Sequence, residues 1–197
     1  MSNSNKVLEM AKANNGTVTS AMIQSAGIAR QYLKILVDKG LLEKVARGVY
    51  VLPEVWEDEF FKLQAQFKKG IFSNATALFL HDLTDRTPLA YSMTFPDNYN
   101  LSNVKNEGVF ASRAKEPFYS MGIETVQSPS GNELLSYSME KTLCDILRTR
   151  AEIETGIIAE AFKRYVTKTN KNIPKLSEYA KILKVEEKVR RYLEVLI

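Results

Sequence analysis

The chain has 197 residues, of which 45% are hydrophobic and 25% are charged. This length and composition are typical of a globular protein with one or two domains, and they exclude a chain that is disordered throughout. The polar start and the lack of an apolar run of about 18 residues predict a cytoplasmic protein without a membrane span. A single cysteine, Cys144, and a single histidine, His81, exclude an internal disulfide and metal sites rich in these residues.

The net charge of +4 is distributed unevenly along the chain. Residues 1–53 carry seven Lys and Arg against three Asp and Glu, residues 54–160 carry ten against sixteen, and residues 161–197 carry ten against four. The three segments therefore have net charges of +4, −6 and +6. Because the two ends are basic, we expect them to face an anionic partner.

Three helical patterns and a hairpin occupy residues 1–53, which we predict to be one domain. Apolar residues at helical spacing predict a first helix over 6–13, and Thr19 is a suitable N-cap for a second helix that ends before Gly27. The third helix, 29–39, has one apolar stripe consisting of Ala29, Leu33, Leu36 and Val37. Two β-prone runs, 41–45 and 49–52, are joined through Gly48, which indicates a hairpin. This order of elements is typical of a winged helix-turn-helix domain.

Residues 54–197 are predicted to form a second, larger domain of mixed α+β class that ends in several helices. The change in the sign of the charge at Pro53-Glu54 marks the boundary. The expected helices lie at Trp56–Lys68, at 73–82 with Ser73 as the cap, from Met139 onwards, and at 157–167, 175–183 and 186–196. The expected strands lie at 91–95, 108–113, 123–128 and 134–137.

The third helix has the side chains of a DNA-reading helix. With Leu33 at the centre of the buried stripe, Gln31, Lys34, Ile35 and Asp38 face outwards, and Arg30 lies on the flank near Lys34. Arginine can bind guanine in a bidentate manner, glutamine can bind adenine, lysine can reach guanine or a phosphate, and isoleucine can contact a thymine methyl group. A solvated helix also exposes such residues, but the surrounding motif favours nucleic-acid binding.

Further DNA contacts are predicted at the edges of this domain and in the C-terminal segment. Arg47 at the tip of the hairpin is expected to reach the backbone or a minor groove, and hydroxyls of Thr17, Thr19 and Ser20 can donate to phosphates. Among the ten cations after residue 160, we expect phosphate contacts from Lys171, Lys175 and Lys184. A winged helix also serves as a protein-binding adaptor, which stays open as the alternative function.

Enzymatic motifs are largely missing. The sequence has no G-x-G fingerprint, no P-loop and no D-x-D pair, so we expect neither catalysis nor a cofactor or metal ion. A nuclease-like set of Asp97 with the distant Glu186, Glu187 and Lys188 is a weak alternative. His81 is expected to be structural, and Cys144 to pack as a small hydrophobic residue. The helical spacing of Lys141, Asp145 and Arg148 predicts a salt-bridged helix face that contributes a few tenths of a kcal/mol per pair.

Several motifs together resemble the AbiEi family of antitoxins. In the first domain they are Ile28-Ala29-Arg30-Gln31-Tyr32-Leu33, Leu36-Val37-Asp38-Lys39-Gly40-Leu41-Leu42 and Val45-Ala46-Arg47-Gly48-Val49-Tyr50. In the second they are Ser73-Asn74-Ala75-Thr76-Ala77-Leu78-Phe79-Leu80-His81 and Glu140-Lys141-Thr142-Leu143-Cys144-Asp145-Ile146-Leu147-Arg148. The resemblance covers essentially the whole chain.

The resemblance implies the antitoxin of a bacterial type IV abortive-infection system, a means of phage resistance. Such a protein represses its own operon by binding inverted repeats in double-stranded DNA, and it counteracts a nucleotidyltransferase-like toxin without a stable complex. The first domain would read DNA through Arg30, Gln31, Lys34 and Arg47, and the second would be needed for antitoxicity. The lack of a long heptad seam predicts a monomer in solution, and bending of the DNA would allow cooperative binding.

Overall fold

The chain divides into two units that are not continuous in sequence. The computed structural model describes residues 2–55, 58–148 and 153–196. The first unit runs to Lys68 and also includes Gln127–Leu134, whereas the second consists of Lys69–Val126 and the chain from Leu135 onwards. Both sheets and helices are present, so the predicted α+β class is confirmed. None of the helices in the described residues is long and apolar enough to cross a bilayer.

The first unit contains the predicted winged helix-turn-helix arrangement. Its elements are α1 (Asn3–Ala13), β1 (Thr17–Thr19), α2 (Ser20–Ser25), α3 (Gln31–Asp38), β2 (Glu43–Ala46), β3 (Val49–Val51) and α4 (Glu59–Gln66). The strands lie in the order β1, β3, β2, and both pairings are antiparallel. The sequence prediction contains no counterpart of β1. The predicted start of α4 at Trp56 lies outside the described residues, and the described helix begins at Glu59 after the N-cap Asp58.

The core of the first unit consists of apolar residues from α1, α2 and α3. Val7 and Ile23 are 0% exposed, and Leu33 and Leu36 are 1% exposed. The predicted apolar stripe also includes Ala29, and this prediction is wrong because Ala29 is exposed. The reason is local: α3 begins only at Gln31, so Ala29 lies in the preceding turn, where helical periodicity does not apply. Gly27 has a φ of +71°, as the predicted tight turn requires.

The second unit is a mixed sheet covered by helices. Its elements are β4 (Ile71–Phe72), α5 (Asn74–Leu80), β5 (Ser92–Pro96), α6 (Ser102–Asn106), β6 (Phe110–Ala114), β7 (Ile123–Gln127), β8 (Glu133–Tyr137), α7 (Met139–Ile146), α8 (Thr155–Thr167), α9 (Ile173–Ile182) and α10 (Glu186–Leu196). The last residue of β7 and the first two of β8 are those already counted with the first unit. The strand order is β6, β5, β4, β8, β7. Strand β4 is antiparallel to β5 and parallel to β8, and β5 is parallel to β6. Neither β4 nor α6 has a counterpart in the sequence prediction.

Helix α7 lies at the centre of the second unit. Leu143 and Cys144 are fully buried among residues of α8 and α9 such as Phe162 and Leu176. Ser73 precedes α5 as predicted, but its side chain makes no capping hydrogen bond. Instead, the Ser73 hydroxyl accepts a hydrogen bond from Oγ1 of Thr94 at 3.0 Å, which connects α5 to the sheet.

Candidate nucleic-acid interface

The outward face of α3 carries the side chains that the sequence places there. Gln31, Lys34 and Asp38 are exposed, and Ile35 is 38% exposed. The opposite side of the helix is fixed by Leu33 and Leu36, which are buried against α1 and α2. Burial of this stripe orients the helix, so the amide, the ammonium and the aliphatic side chain project from one surface.

Arg30 lies at the beginning of α3 and is held by a neighbour that the sequence prediction does not include. It occupies the N-cap position but makes no capping hydrogen bond with its side chain. Its guanidinium donates to Oε1 of Gln24 at 2.6 Å. Gln24 therefore restricts the guanidinium before any ligand is bound. Gln24 and Arg30 are six residues apart, on either side of the turn between two helices. This spacing does not match a helical period, so the sequence alone does not indicate the contact.

The hairpin of β2 and β3 is joined to the start of α2. Gly48 has a φ of +80°, which suits the tight turn next to the exposed Arg47. The backbone N–H of Ser20 donates to the carbonyl oxygen of Gly48 at 2.8 Å. Thr19 caps α2 as predicted, since its hydroxyl accepts from the N–H of Met22 at 3.2 Å. That hydroxyl keeps its own proton for donation to a phosphate.

These residues line one groove of about 690 Å³ in the first unit. Thr19, Ser20, Arg30 and Arg47 all contribute to it, together with Lys68. Gln31 and Lys34 lie on the exposed face of α3 and do not line the groove, and the buried Thr17 does not line it either. Glu133 contributes an acidic side chain, so the groove has three cations and one carboxylate. A groove with this balance favours an anionic ligand.

One wall of this groove comes from a distant part of the sequence. Gln127, Gly131, Asn132 and Glu133 line it, although they follow the third helix by about ninety residues. The carboxylate of Asp58 holds this segment, because it accepts from the side chains of Ser128 and Asn132. Periodicity cannot reveal such a contact, since the segment simply resembles a turn in the sequence.

The three predicted lysines of the C-terminal segment lie in the second unit. Lys171 is exposed, with its Nζ donating to the carbonyl oxygen of Lys168 at 3.2 Å. Lys175 is half-buried and lies 5.6 Å from the ring centre of Tyr179. Lys184 is exposed, with a backbone φ of +58°. Within the described residues, none of the three forms an ion pair. Their contact with DNA stays a prediction.

His81 has a largely buried, hydrogen-bonded side chain, as expected for a residue with a structural role. Its side chain is 8% exposed, and Nε2 donates to the carbonyl oxygen of Tyr137 at 2.7 Å. Glu124 lies 3.7 Å from the same nitrogen. The hydrogen bond joins the end of α5 to the end of β8.

The residues of the nuclease-like alternative have separate partners. Asp97 lies 3.9 Å from Nζ of Lys115, Glu186 lies 3.9 Å from Nζ of Lys181, and Glu187 pairs with Arg190 at 2.6 Å. Lys188 donates to the carbonyl oxygen of Leu147 at 2.8 Å. These contacts account for each of the four residues as surface or structural groups.

The expected salt bridges of α7 are present, but the Lys141–Asp145 pair is largely covered, so the energy expected for a surface pair does not apply to it. The side chains of Lys141 and Asp145 form an ion pair and are 3% and 15% exposed. Arg148 lies 3.7 Å from the same carboxylate and is 52% exposed. The helical spacing alone does not tell which face is covered, and here the rest of the second unit packs around α7. A buried pair of this kind has a far larger desolvation cost than a surface pair.

Comparison with known families finds a match within the first unit. Residues 5–53 match the family model described as "Transcriptional regulator, AbiEi antitoxin". Residues 5–53 are therefore similar to the AbiEi antitoxin regulators. The match confirms the resemblance for the motifs of the first domain, which carry Arg30, Gln31, Lys34 and Arg47. The motifs at 73–81 and 140–148 lie outside the match, so their resemblance stays a prediction.

The fold of nearly the whole chain also has a counterpart among solved structures. The crystal structure of the RV2827C protein from Mycobacterium tuberculosis aligns with a TM-score of 0.56 over 98% of this chain and 80% of that chain. The two sequences are 13% identical, so the likeness concerns the fold alone. No curated protein sequence matches the chain.

Proposed function

We propose that the protein is an AbiEi antitoxin that represses its own operon by binding inverted repeats in its promoter. The observation that supports this most directly is the exposed face of α3 beside Arg30 and Arg47, inside the segment that matches the regulator family. In this proposal the protein acts in the cytoplasm by binding alone, without catalysis, and is a monomer in solution that can bind its repeats cooperatively.

The geometry supports different roles for the individual DNA-contacting residues. Helix α3 enters the major groove, where Gln31 can recognise adenine and Lys34 can reach guanine or a phosphate. Arg30, which Gln24 restrains, reads guanine at the beginning of the helix. Arg47 on the wing binds the backbone or a minor groove, and Thr19 and Ser20 donate to phosphates.

A gel-shift titration on the upstream DNA of its own operon tests this proposal. We expect Arg30→Ala to cost about 1–3 kcal/mol of binding free energy and to relax sequence preference, because the variant cannot form the hydrogen bonds that read a base. Lys34→Ala and Arg47→Ala should weaken binding and, where they remove a phosphate contact, lower the salt slope by about one. The matched control is Lys12→Ala, which removes one exposed cation that already pairs with Glu9 at 3.0 Å.

Unchanged affinity in Arg30→Ala, Lys34→Ala and Arg47→Ala would overturn the site. Equal weakening in Lys12→Ala would show that only total charge matters. Absence of any salt-dependent DNA binding would favour the protein-binding adaptor instead.

The antitoxin role is supported by the family match and is tested through the adjacent gene. We propose that this gene encodes a nucleotidyltransferase-like toxin that arrests growth when expressed alone. Co-expression of the full chain should restore growth, and the two proteins should not co-purify. Persistent arrest despite equal expression would contradict the antitoxin role while leaving DNA binding intact.

A further inference from the structure

The second unit has a polar pocket of its own, with a volume of about 740 Å³. We call it the α7 pocket and define it by Asn74, Thr94, Arg113, Lys141, Asp145 and Arg148. We propose that the α7 pocket binds the phosphate group of a small molecule. The proposal does not depend on DNA binding by the first unit.

The floor of the α7 pocket is a buried and internally neutral ion pair. Lys141 pairs with Asp145, and its Nζ lies 4.5 Å from the ring centre of Tyr137. Because the two side chains neutralise one another, the floor by itself has no strong preference for a charged ligand. It does fix Asp145, whose second oxygen lies 3.7 Å from Arg148. The floor thereby orients one arginine at the edge of the pocket.

Two arginines give the pocket its preference for anions. Nε of Arg113 donates to the carbonyl oxygen of Tyr99 at 2.9 Å, which holds the guanidinium by one edge. Within the described residues its terminal nitrogens have no other partner and can bind a ligand. Arg148 is about half exposed. The planar guanidinium group matches the geometry of phosphate oxygens and can donate two parallel hydrogen bonds.

The acidic residues of the lining do not cancel this preference. Asp145 already faces Lys141 and Arg148, and the exposed Asp97 lies 3.9 Å from Nζ of Lys115. The lining therefore has three cations against two carboxylates, both of which have cationic neighbours. A ligand with negative charge is the one that balances the remaining arginine.

The remaining wall of the α7 pocket is polar and tightly held. Oγ1 of Thr94 donates to Ser73 at 3.0 Å and lies 2.8 Å from the hydroxyl oxygen of Ser112. Asn74 has a φ of +48°, a backbone conformation that is uncommon outside glycine and persists where the surroundings enforce it. Such rigid polar walls suit a ligand that is oriented by hydrogen bonds.

The shape of the pocket favours a small molecule over the backbone of a nucleic acid. Its volume lies within the range of about 300–1,000 Å³ that is common for small-ligand sites. The side chains of Lys141 and Asp145 at the floor are 3% and 15% exposed, so only a compact group can approach them.

Calorimetric titration of the full chain with sodium phosphate tests the proposal, with sodium chloride used to keep the ionic strength constant. Saturable binding is expected, and Arg113→Gln and Arg148→Gln should each weaken it by about tenfold, because each removes a charge-assisted hydrogen bond to the phosphate. Glycerol phosphate should bind as well, whereas glycerol should not. The matched control is Arg86→Gln, since Arg86 is an exposed arginine that pairs with Glu154 at 3.1 Å.

Lack of saturation, or equal weakening in Arg86→Gln, would overturn the α7 pocket as a phosphate site. If Arg113→Gln weakens operator DNA binding while free phosphate does not bind, the arginines serve the nucleic-acid backbone and the small-molecule proposal is wrong. Because Arg113 is exposed on β6, Arg113→Gln tests the phosphate site even if Arg148→Gln fails to fold. Circular dichroism will show whether each variant is folded. Arg30→Ala should retain phosphate binding, which separates this proposal from the proposed function.

Discussion

At the scale of single residues, α7 is stabilised by buried polar groups that have hydrogen-bond partners. Oε1 of Glu140 accepts from the hydroxyl of Tyr165 at 3.0 Å and from the backbone N–H of Asn172 at 3.1 Å. Burial, reinforced by Glu140, raises the pKa of Tyr165, so this hydroxyl remains a donor at neutral pH. No buried side-chain nitrogen or oxygen among the described residues lacks a hydrogen-bond partner. These groups hold the first turn of α7 against α8 and α9.

Cys144 gives a prediction at the same scale. It is 0% exposed, and burial raises its pKa to about 12, with a smaller contribution from Asp145. Since the thiolate is the reactive form, we expect Ellman's reagent to label the denatured chain rapidly and the native chain hardly at all at neutral pH. Stoichiometric labelling of the native chain at the rate of the denatured chain would contradict this environment.

The raised pKa of Cys144 also has a consequence for alkaline stability. In the unfolded chain the thiol ionises at about pH 8.5, whereas in the folded chain it stays protonated to about pH 12. The contribution of the buried thiol to the free energy of unfolding is therefore fully present below about pH 8.5. It decreases as the pH rises towards the pKa of the thiol in the folded chain. Urea titrations over this pH range should show a smaller decrease in the free energy of unfolding for Cys144→Ala than for the unchanged chain.

At the scale of elements, one carboxylate starts α4 and also anchors the segment Gln127–Leu134. Oδ1 of Asp58 accepts from the N–H of Phe61 at 3.1 Å, which caps the helix. Its Oδ2 accepts from Ser128 and from Nδ2 of Asn132, the latter at 2.8 Å. The side chain is 7% exposed, so water cannot readily replace these bonds. Asp58 therefore determines where one wall of the groove lies.

Replacement of Asp58 measures the strength of this anchor. Asp58→Ala should lower the free energy of unfolding by about 2–4 kcal/mol, because it removes a helix cap and leaves buried donors unsatisfied. Asp58→Asn keeps the shape and one acceptor, so its effect should be smaller. As a control, Asp85→Ala removes an exposed partner of Arg164 and should change stability by less than about 1 kcal/mol. Urea denaturation gives these values, and equal effects of Asp58→Ala and Asp85→Ala would refute the anchor.

Local sequence patterns predict most of the helices and strands, whereas they do not predict long-range contacts. The Thr19 cap, the outward face of α3 and the glycine turn of the hairpin depend on residues within one or two turns of each other. Strand β1 has only three residues and becomes a strand by pairing with β3 some thirty positions away. The attachment of 127–134 to Asp58 spans about seventy positions, and burial of Lys141 follows from packing of elements that lie before and after it. Such features depend on the tertiary fold and are not reflected in the spacing of residue types along the sequence.

At the scale of the whole molecule, the structure reduces the charge that the C-terminal segment offers to a partner. Several of its cations pair with carboxylates of the second unit. Arg164 pairs with Glu160 and Asp85, Lys168 with Asp82, Lys181 with Glu186, and Arg190 with Glu187. The net charge of +6 for residues 161–197 therefore overstates the available positive potential. Lys171, Lys175 and Lys184 remain outside these pairs in the described part of the chain.

This distinction allows a test at constant total charge. One triple variant changes the unpaired lysines, Lys171, Lys175 and Lys184, to Gln. The other changes the paired cations Lys168, Lys181 and Arg190 to Gln, so both variants remove three positive charges. If the unpaired lysines bind phosphates, the first variant should lower the slope of log K against log salt by about 0.9 for each phosphate that is no longer neutralised. It should weaken operator and unrelated DNA alike, because phosphate contacts carry no sequence information.

The second triple variant should have a smaller effect on DNA affinity, since its carboxylate partners already reduce the field of the cations it removes. Filter-binding titrations at several salt concentrations, on operator and on unrelated duplexes of equal length, give both the slope and the specificity ratio. Equal weakening in the two variants would assign the effect to total charge. Loss of specificity with affinity retained would show that the lysines do not act through phosphates, and unchanged slopes in both would confine DNA binding to the first unit.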